Sequence, residues 1–291
     1  MYVLLYILVA ASLASSNPTT TLTIPCVRPD PTTTQLPPCG LGRITIIVET
    51  PLPTANCHTP APLPFPSPVP GGPCVVSPTC PASGLNIDYY SNPFGGYSRE
   101  GQISSSYYIN QRLAPRASSL TNVSFFPQDT PPNLPTVNPD PSMPSTPYWV
   151  GWTRNTNGGI YVDGNNFTLT YYGFYRAPVT GLYTLCTTAD NENDVFWGHG
   201  NAFSCLDGRP DPNARPLVFS TGGNYINGIR CADVSLRQGE YYPLRNVMGN
   251  WQGPSAFNFT IKDPARNFDA RTNDFTGLAY PHSCGLFGLF A

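Results

Sequence analysis

The densest set of potential ligands in the chain is Asp190-Asn191-Glu192-Asn193-Asp194, which runs on into Val195-Phe196-Trp197-Gly198. Carboxylates and side-chain amides offer oxygen, and a hard cation such as Ca2+ takes roughly six to eight oxygens from carboxylates, amides, carbonyls and water. An EF-hand does not fit this run. Val195 stands where that loop needs a glycine, and Asn201 where it needs a bidentate glutamate. The competing reading is an Asn/Asp-rich turn capped by its own side chains. Catalysis has less to work with. The histidines are His58, His199 and His282, and only His199 has a carboxylate neighbour in sequence, Asp194. No motif marks an activated serine or cysteine. Asp88, Asp163, Asp190, Asp194 and Glu240 are candidates for a glycosidase pair, but spacing sets no two of them face to face. No glycine-rich loop opens a helix to cradle phosphate. A binding protein is expected rather than an enzyme.

The elements that position these residues follow from composition. The chain has 291 residues, enough for one large domain or two small ones. Its net charge is −2 and Lys262 is its only lysine, which argues against a nucleic-acid binder because phosphate neutralisation needs clustered Lys and Arg. Aromatic and β-branched residues recur between Gly, Pro and Asn turns without sustained helical periodicity, so an all-β fold is expected. Residues Tyr2 to Leu13 are almost entirely apolar and small residues follow, so 1–16 reads as a secretory signal peptide, although a basic start is missing. The stretch is too short for a membrane core that needs about 20 apolar residues. No other stretch spans a membrane, and the tail 286–291 is too short to direct a lipid anchor. A secreted, extracellular protein is therefore expected.

Secretion makes the nine cysteines disulfide candidates. None forms a Cys-x-x-Cys pair, which argues against zinc or redox chemistry. Cys74, Cys80, Cys186, Cys205, Cys231 and Cys284 lie in or beside the folded part and form the expected pool. Cys26, Cys39 and Cys57 lie upstream, and an odd total leaves one thiol over. Three sequons, at Asn122, Asn166 and Asn258, are compatible with secretion.

Residues 17–83 are rich in Pro, Thr and Ser. Alternating prolines fix φ and remove donors, so a disordered, extended and O-glycosylated stalk is expected there, with Arg43–Glu49 as one short β-branched exception. From Gly84 to 285 the texture changes. Strands are predicted at Leu85–Tyr90, Ile103–Ile109, Tyr148–Thr153, Phe167–Tyr175, Leu182–Thr187, Asp194–Trp197, Leu217–Ser220, Tyr241–Met248 and Ala256–Ile261, and so many short strands imply a sandwich or barrel. The proline-rich stretch 127–147 reads as one long loop on or off that domain.

Three segments together resemble a known family. Gly84-Leu-Asn-Ile-Asp-Tyr-Tyr-Ser-Asn-Pro-Phe94 resembles the signature of the fungal GLEYA adhesin domain. Phe167 to Leu185 resembles that family's central strands, and Tyr241 to Asn250 with Phe257 to Ile261 its closing ones. The resemblance implies a β-sandwich of the protective-antigen type, related to flocculins and epithelial adhesins, which are calcium-dependent lectins of fungal cell surfaces. In those lectins two adjacent aspartates joined by a cis peptide, with an asparagine on a second loop, hold the ion. The matching positions are Asp190 and Asn191, then Asn250, with Gln252 able to lend a backbone carbonyl. Asn191 departs from the pattern by one carboxylate, and Glu192 and Asp194 stand close by in sequence. Trp251 is implied as a sugar contact because indole faces stack on sugar rings, though they also fill cores, as Trp149 and Trp152 are expected to do. The expectation is a calcium-dependent, cell-wall-associated adhesin for cell-surface glycans or glycoproteins. A structural or self-associating wall protein without sugar binding is the alternative, and a carbohydrate-active enzyme a further one.

Overall fold

A computed structural model describes residues 71–92, 97, 103–130, 132–138, 147–221, 229–265 and 271–288. The segment 1–16 read as a signal peptide, the part of the expected stalk up to residue 70 and the run Arg43–Glu49 lie outside the described residues. The chain divides into two units, Met1–Pro64 and Phe65–Ala291, and every described residue belongs to the second.

Fifteen strands are formed by the described residues: β1 (Leu85–Ser91), β2 (Ala117–Thr121), β3 (Phe125–Phe126), β4 (Thr136–Val137), β5 (Tyr148–Trp149), β6 (Thr153–Asn155), β7 (Tyr161–Asp163), β8 (Asn166–Arg176), β9 (Gly181–Asp190), β10 (Glu192–Trp197), β11 (Val218–Thr221), β12 (Arg230–Leu236), β13 (Tyr241–Trp251), β14 (Ala256–Lys262) and β15 (Ala279–Pro281). The larger sheet runs β11-β10-β13-β8-β1-β2, with β15 also on β8, and the smaller runs β12-β9-β14-β3. Two ribbons, β4–β5 and β6–β7, stand beside them. The fold is the expected all-β sandwich.

Period-2 side-chain alternation places the core. Phe257, Phe259 and Ile261 of β14 and Tyr183 and Leu185 of β9 are fully buried and meet Phe167, Leu169 and Tyr171 of β8. The larger sheet is covered on its other face too, by a second cluster that includes Tyr90, Tyr97, Tyr107, Tyr108, Phe174, Phe196 and Phe203. Strand β13 is therefore buried along nearly its whole length, as a strand covered on both faces must be.

Disulfides join Cys74–Cys205, Cys80–Cys284 and Cys186–Cys231, pairing all six cysteines of the expected pool. Two of them fasten residues that the sequence placed in the stalk. Cys74 also bridges to Tyr241 and Val76 to Gly285, so the domain begins well before residue 84. Proline-richness misled here: bridges and disulfides attach this segment where ladder pairing is not needed.

Ile103–Ile109 is not a strand. It ends in a short helix, Tyr107–Asn110, whose tyrosines lie on the larger sheet, with Tyr107 Oη donating to Ser91 O at 2.8 Å. Tyr148–Thr153 is broken at Gly151, where φ is +75°, into β5 and the start of β6. The described part of the proline-rich loop lies on the domain. Asp129 N donates to Ser255 O, and Thr136 and Val137 pair with β5.

Candidate functional site

Asp190 is the last residue of β9 and Asn191 the single residue before β10. The peptide between them is cis, the feature implied by the resemblance. Asn191 Nδ2 donates to Asp190 Oδ1 at 3.1 Å. Two further bonds tie Asn191 to the end of β13: its N–H reaches Gly249 O at 3.2 Å, and Trp251 N–H donates to Asn191 Oδ1 at 2.7 Å. The two loops read from the sequence as one site are thus joined through Asn191.

On the second loop Asn250 is fully buried. Its Nδ2 is shared among the carbonyls of Gly164, Asn165 and Gly253, at 3.2, 3.3 and 3.4 Å. Its Oδ1 is buried without a hydrogen-bond partner. Gln252 sits at φ +59°, a left-handed conformation uncommon outside glycine, and both its side-chain amide atoms are buried and unpartnered. Buried polar groups are rarely left in that state, since each costs about 1–3 kcal/mol.

Asn165, the last residue of the turn-forming run Asp163-Gly164-Asn165, joins this loop to a third segment. Its carbonyl accepts from Gln252 N–H and Asn250 Nδ2. Its side chain holds both main-chain groups of Trp149, accepting from N–H at 2.7 Å and donating to O at 2.8 Å. Gly164 permits the close turn, because a Cβ there would lie 2.7 Å from the Trp152 ring. Trp149 is half-exposed and packs edge-on against buried Trp152. Trp251, expected to offer a face to sugar, is 4% exposed, so its indole acts as wall rather than platform.

The acidic run divides. The alternation of β10 puts Asn193 inside the sandwich, where Nδ2 donates to Thr187 Oγ1 and Asn246 Oδ1. Glu192 and Asp194 act instead on Tyr97 in the second cluster, whose hydroxyl pKa burial and then their charges push well up. They do not replace the carboxylate missing at 191. The acid that acts on Asp190 is Asp129, on the proline-rich loop. Burial first, and Asp129 second, raise Asp190 to about 6. Arg154 fixes that loop by an ion pair with Asp129 at 3.1 Å and a bond to Ser255 O at 2.6 Å. Gln128 Nε2 thereby stands 3.5 Å from Asp190 Oδ2. Sequence reasoning missed Asn165, Gln128 and Asp129. The turn-forming composition of Asp163-Gly164-Asn165 is the signal that could have pointed to one of them.

The catalytic candidates are each engaged separately. His199 Nδ1 accepts from Cys205 N–H, and Asp88 takes bonds from Ser118 and Tyr172. Asp163 is held by Tyr148 and Asn165, and Glu240 by Tyr242.

Residues 167–263 match the family model of the GLEYA domain. This chain carries a GLEYA domain. The match contains two of the three segments that carried the resemblance; Gly84–Phe94 precedes it. Among curated proteins, this chain is 26% identical over 233 residues to flocculation protein FLO1 of Saccharomyces cerevisiae, covering 68% of this chain and 14% of that protein. It is 29% identical over 117 residues to the putative cell agglutination protein pfl4 of Schizosaccharomyces pombe, covering 40% of this chain and 18% of that one. The chain therefore spans less than a fifth of either relative. Among solved structures it is similar to the A domain of epithelial adhesin 9 from Candida glabrata, in complex with Galβ1-4GlcNAc, with TM-score 0.54, 21% identity and coverage of 74% of this chain and 96% of that one. The epithelial adhesin 6 A domain, in complex with Galβ1-3GlcNAc, gives TM-score 0.51 and 21% identity over 72% and 92%. At these identities the likeness establishes a shared fold.

The donor set suits a hard cation. Asp190 supplies a carboxylate, and Asn250 Oδ1 and Gln252 Oε1 are amide oxygens that no protein donor satisfies. Asn191 has spent its Oδ1 on Trp251 N–H. Among the described residues no three His, Cys, Asp or Glu side chains gather around a common point, so a cation here would rely on amides and carbonyls as much as on charge.

Proposed function

We propose that this GLEYA domain is the glycan-binding module of a secreted, cell-wall-associated fungal adhesin, and that its site binds sugar with calcium. The observation that carries the reading is the pair of buried, unpartnered amide oxygens of Asn250 and Gln252 on the loop that Asn191 ties to Asp190. Unpartnered acceptors in a packed protein mark a place where a ligand completes the hydrogen bonding. The names of the relatives, flocculation and agglutination proteins, agree with adhesion, and the two similar A domains were crystallised with galactose-containing disaccharides.

Asp190, Asn250 and Gln252 are the residues to hold the cation, with Asn191 fixing the carboxylate and the second loop relative to each other. Calcium held there would supply a centre for neighbouring sugar hydroxyls, which these residues would orient. Asn165 locks the Trp149 backbone to the same loop, so Trp149 takes the stacking role first given to Trp251. The domain binds sugar and does not turn it over.

A glycan array read with and without a chelator tests this. Binding should be lost on chelation and return with calcium. Asp190→Ala should abolish both calcium and glycan binding while the melting curve stays cooperative. Binding that survives chelation or Asp190→Ala would refute the calcium reading, and an array with no glycan bound in either condition would favour a structural, self-associating wall protein.

A further inference from the structure

We propose that Asn258 carries an N-linked glycan whose first sugar lies in a groove on the outer face of the smaller sheet. The chain has three sequons, Asn122-Val-Ser, Asn166-Phe-Thr and Asn258-Phe-Thr, and the fold treats them differently. Asn166 is 9% exposed and precedes two fully buried residues, Phe167 and Thr168. Its Nδ2, the atom that would bear the sugar, donates to Asn92 O. A glycan there would have to break that bond and force its way out from under the covering of the larger sheet. Asn122, in a turn, keeps its Oδ1 buried.

Asn258 lies in the middle of β14, opposite Thr188 on one side and Phe125 on the other. Its neighbours Phe257 and Phe259 point into the core at 0% exposure, so the pleat turns Asn258 outward. Asn273 Nδ2 donates to Asn258 Oδ1 at 3.1 Å. That bond holds the amide by its oxygen and leaves Nδ2 without a hydrogen bond to the described residues. Asn258 lines a groove of about 230 Å³ together with Thr188, Thr260, Arg271, Asn273 and the Cys186 end of a disulfide. Hydroxyls, an amide and a guanidinium are the donors and acceptors that a saccharide's hydroxyl and N-acetyl groups use. No step in the proposed calcium site draws on this groove.

The co-reactant is a lipid-linked oligosaccharyl diphosphate, met by the chain on its way through the secretory route. Asn258 Nδ2 forms a bond to the anomeric carbon as the sugar–oxygen bond breaks. The lipid diphosphate leaves and Nδ2 gives up a proton. The fold then accepts the product, because the attachment atom faces the groove rather than the core.

The full chain secreted from a yeast host tests this by peptide mapping after enzymatic deglycosylation in heavy-oxygen water, which turns an occupied asparagine into a labelled aspartate. The Asn258 peptide should appear labelled and the Asn166 peptide unlabelled. Asn258→Gln and Thr260→Val should each lose the mass of one glycan, and Asn258→Gln should leave binding on the glycan array unchanged. An unlabelled Asn258 peptide, or a labelled Asn166 peptide, in the folded secreted protein would overturn the proposal. The map of the unaltered chain decides this even where a variant fails to fold.

Discussion

Two regions of this domain bury polar side chains, and they treat them in opposite ways. On the outer face of the larger sheet the tyrosines are bonded. Tyr97 donates to Val247 O at 2.7 Å, and Tyr107 donates to Ser91 O and Thr168 Oγ1. Arg245, at 2% exposure, lies 3.7 Å above the Phe196 ring and donates from Nε to Ala202 O. Arg245 Nη2, Ser106 Oγ and Thr170 Oγ1 are unpartnered there, scattered among these bonds rather than gathered on one loop. At the loop end, Asn250 Oδ1, Asn166 Oδ1 and the whole Gln252 amide are buried with nothing to bond. An unmade bond costs about 1–3 kcal/mol, so the first region spends its polar groups on stability. The second leaves its acceptors unpaired.

The largest expected effect breaks the stable region. Arg245→Ala should remove about 3–5 kcal/mol of stability, because Asp194 is left buried without the cation that holds its pKa down and a cavity opens under Phe196. Denaturant melts should show the loss, while glycan binding measured well below the transition stays near that of the parent. Loss of binding with little loss of stability would mean that the two regions are not separable.

A pH comparison sharpens the same contrast. Burial raises Asp194 to about 6, against the lowering pull of Ser105 and Arg245, while an unfolded aspartate titrates near 3.9. The folded state therefore holds this proton across a window in which the unfolded chain has lost it. The resulting stability is complete below about 4 and is lost as pH rises through about 6. His199 and His282, whose pKa values burial lowers, act in the opposite direction. They cancel in a difference. Asp194→Asn should gain on the parent steadily from about pH 4 to about pH 7 in chelated thermal melts, and a gap independent of pH would contradict the assignment.

Much of this was legible in the sequence, and the gaps have physical causes. The strands Leu85–Ser91, Asn166–Arg176 and Ala256–Lys262 stand out because their β-branched and aromatic residues are buried on a regular face. Arg230–Leu236 was missed because it is an edge strand with mostly open side chains, so little selects apolar residues there. The Tyr-rich segment around 107 looked like a strand because it is as buried as one, but it is covering rather than pairing. At the site, Asp190, Asn191, Asn250 and Gln252 were reached through family resemblance. The hold of Asn165 on Trp149, and the approach of Gln128 and Asp129 to Asp190, depend on contacts between distant loops that no local pattern encodes.

Asn191→Asp should act on both sides of the comparison at once. Its remaining acceptor can keep the Trp251 N–H bond, but the donor that now reaches Asp190 Oδ1 becomes a second negative charge. The metal-free protein should melt lower for that like-charge contact. Calcium affinity should rise by on the order of tenfold, about 1.4 kcal/mol, so the thermal gain on adding calcium grows. Titration calorimetry and paired melts would read both. Equal affinity in the two proteins would mean that position 191 does not face the cation.

The smallest effect on stability, and the sharpest on meaning, should come from Gln252→Leu. Both atoms of the Gln252 amide are buried and unpartnered, so exchanging it for an apolar side chain of similar reach removes a desolvation cost and no internal hydrogen bond. The backbone at φ +59° is no easier for leucine than for glutamine, so that strain is unchanged. Stability should therefore stay within about 1 kcal/mol of the parent or rise slightly, while calcium and glycan binding weaken. If instead Gln252→Leu destabilises the domain as much as an ordinary buried hydrogen-bond deletion, its amide is part of the fold. The unpartnered end of the sandwich would then be a second stable polar cluster, and the contrast with the tyrosine face would fail.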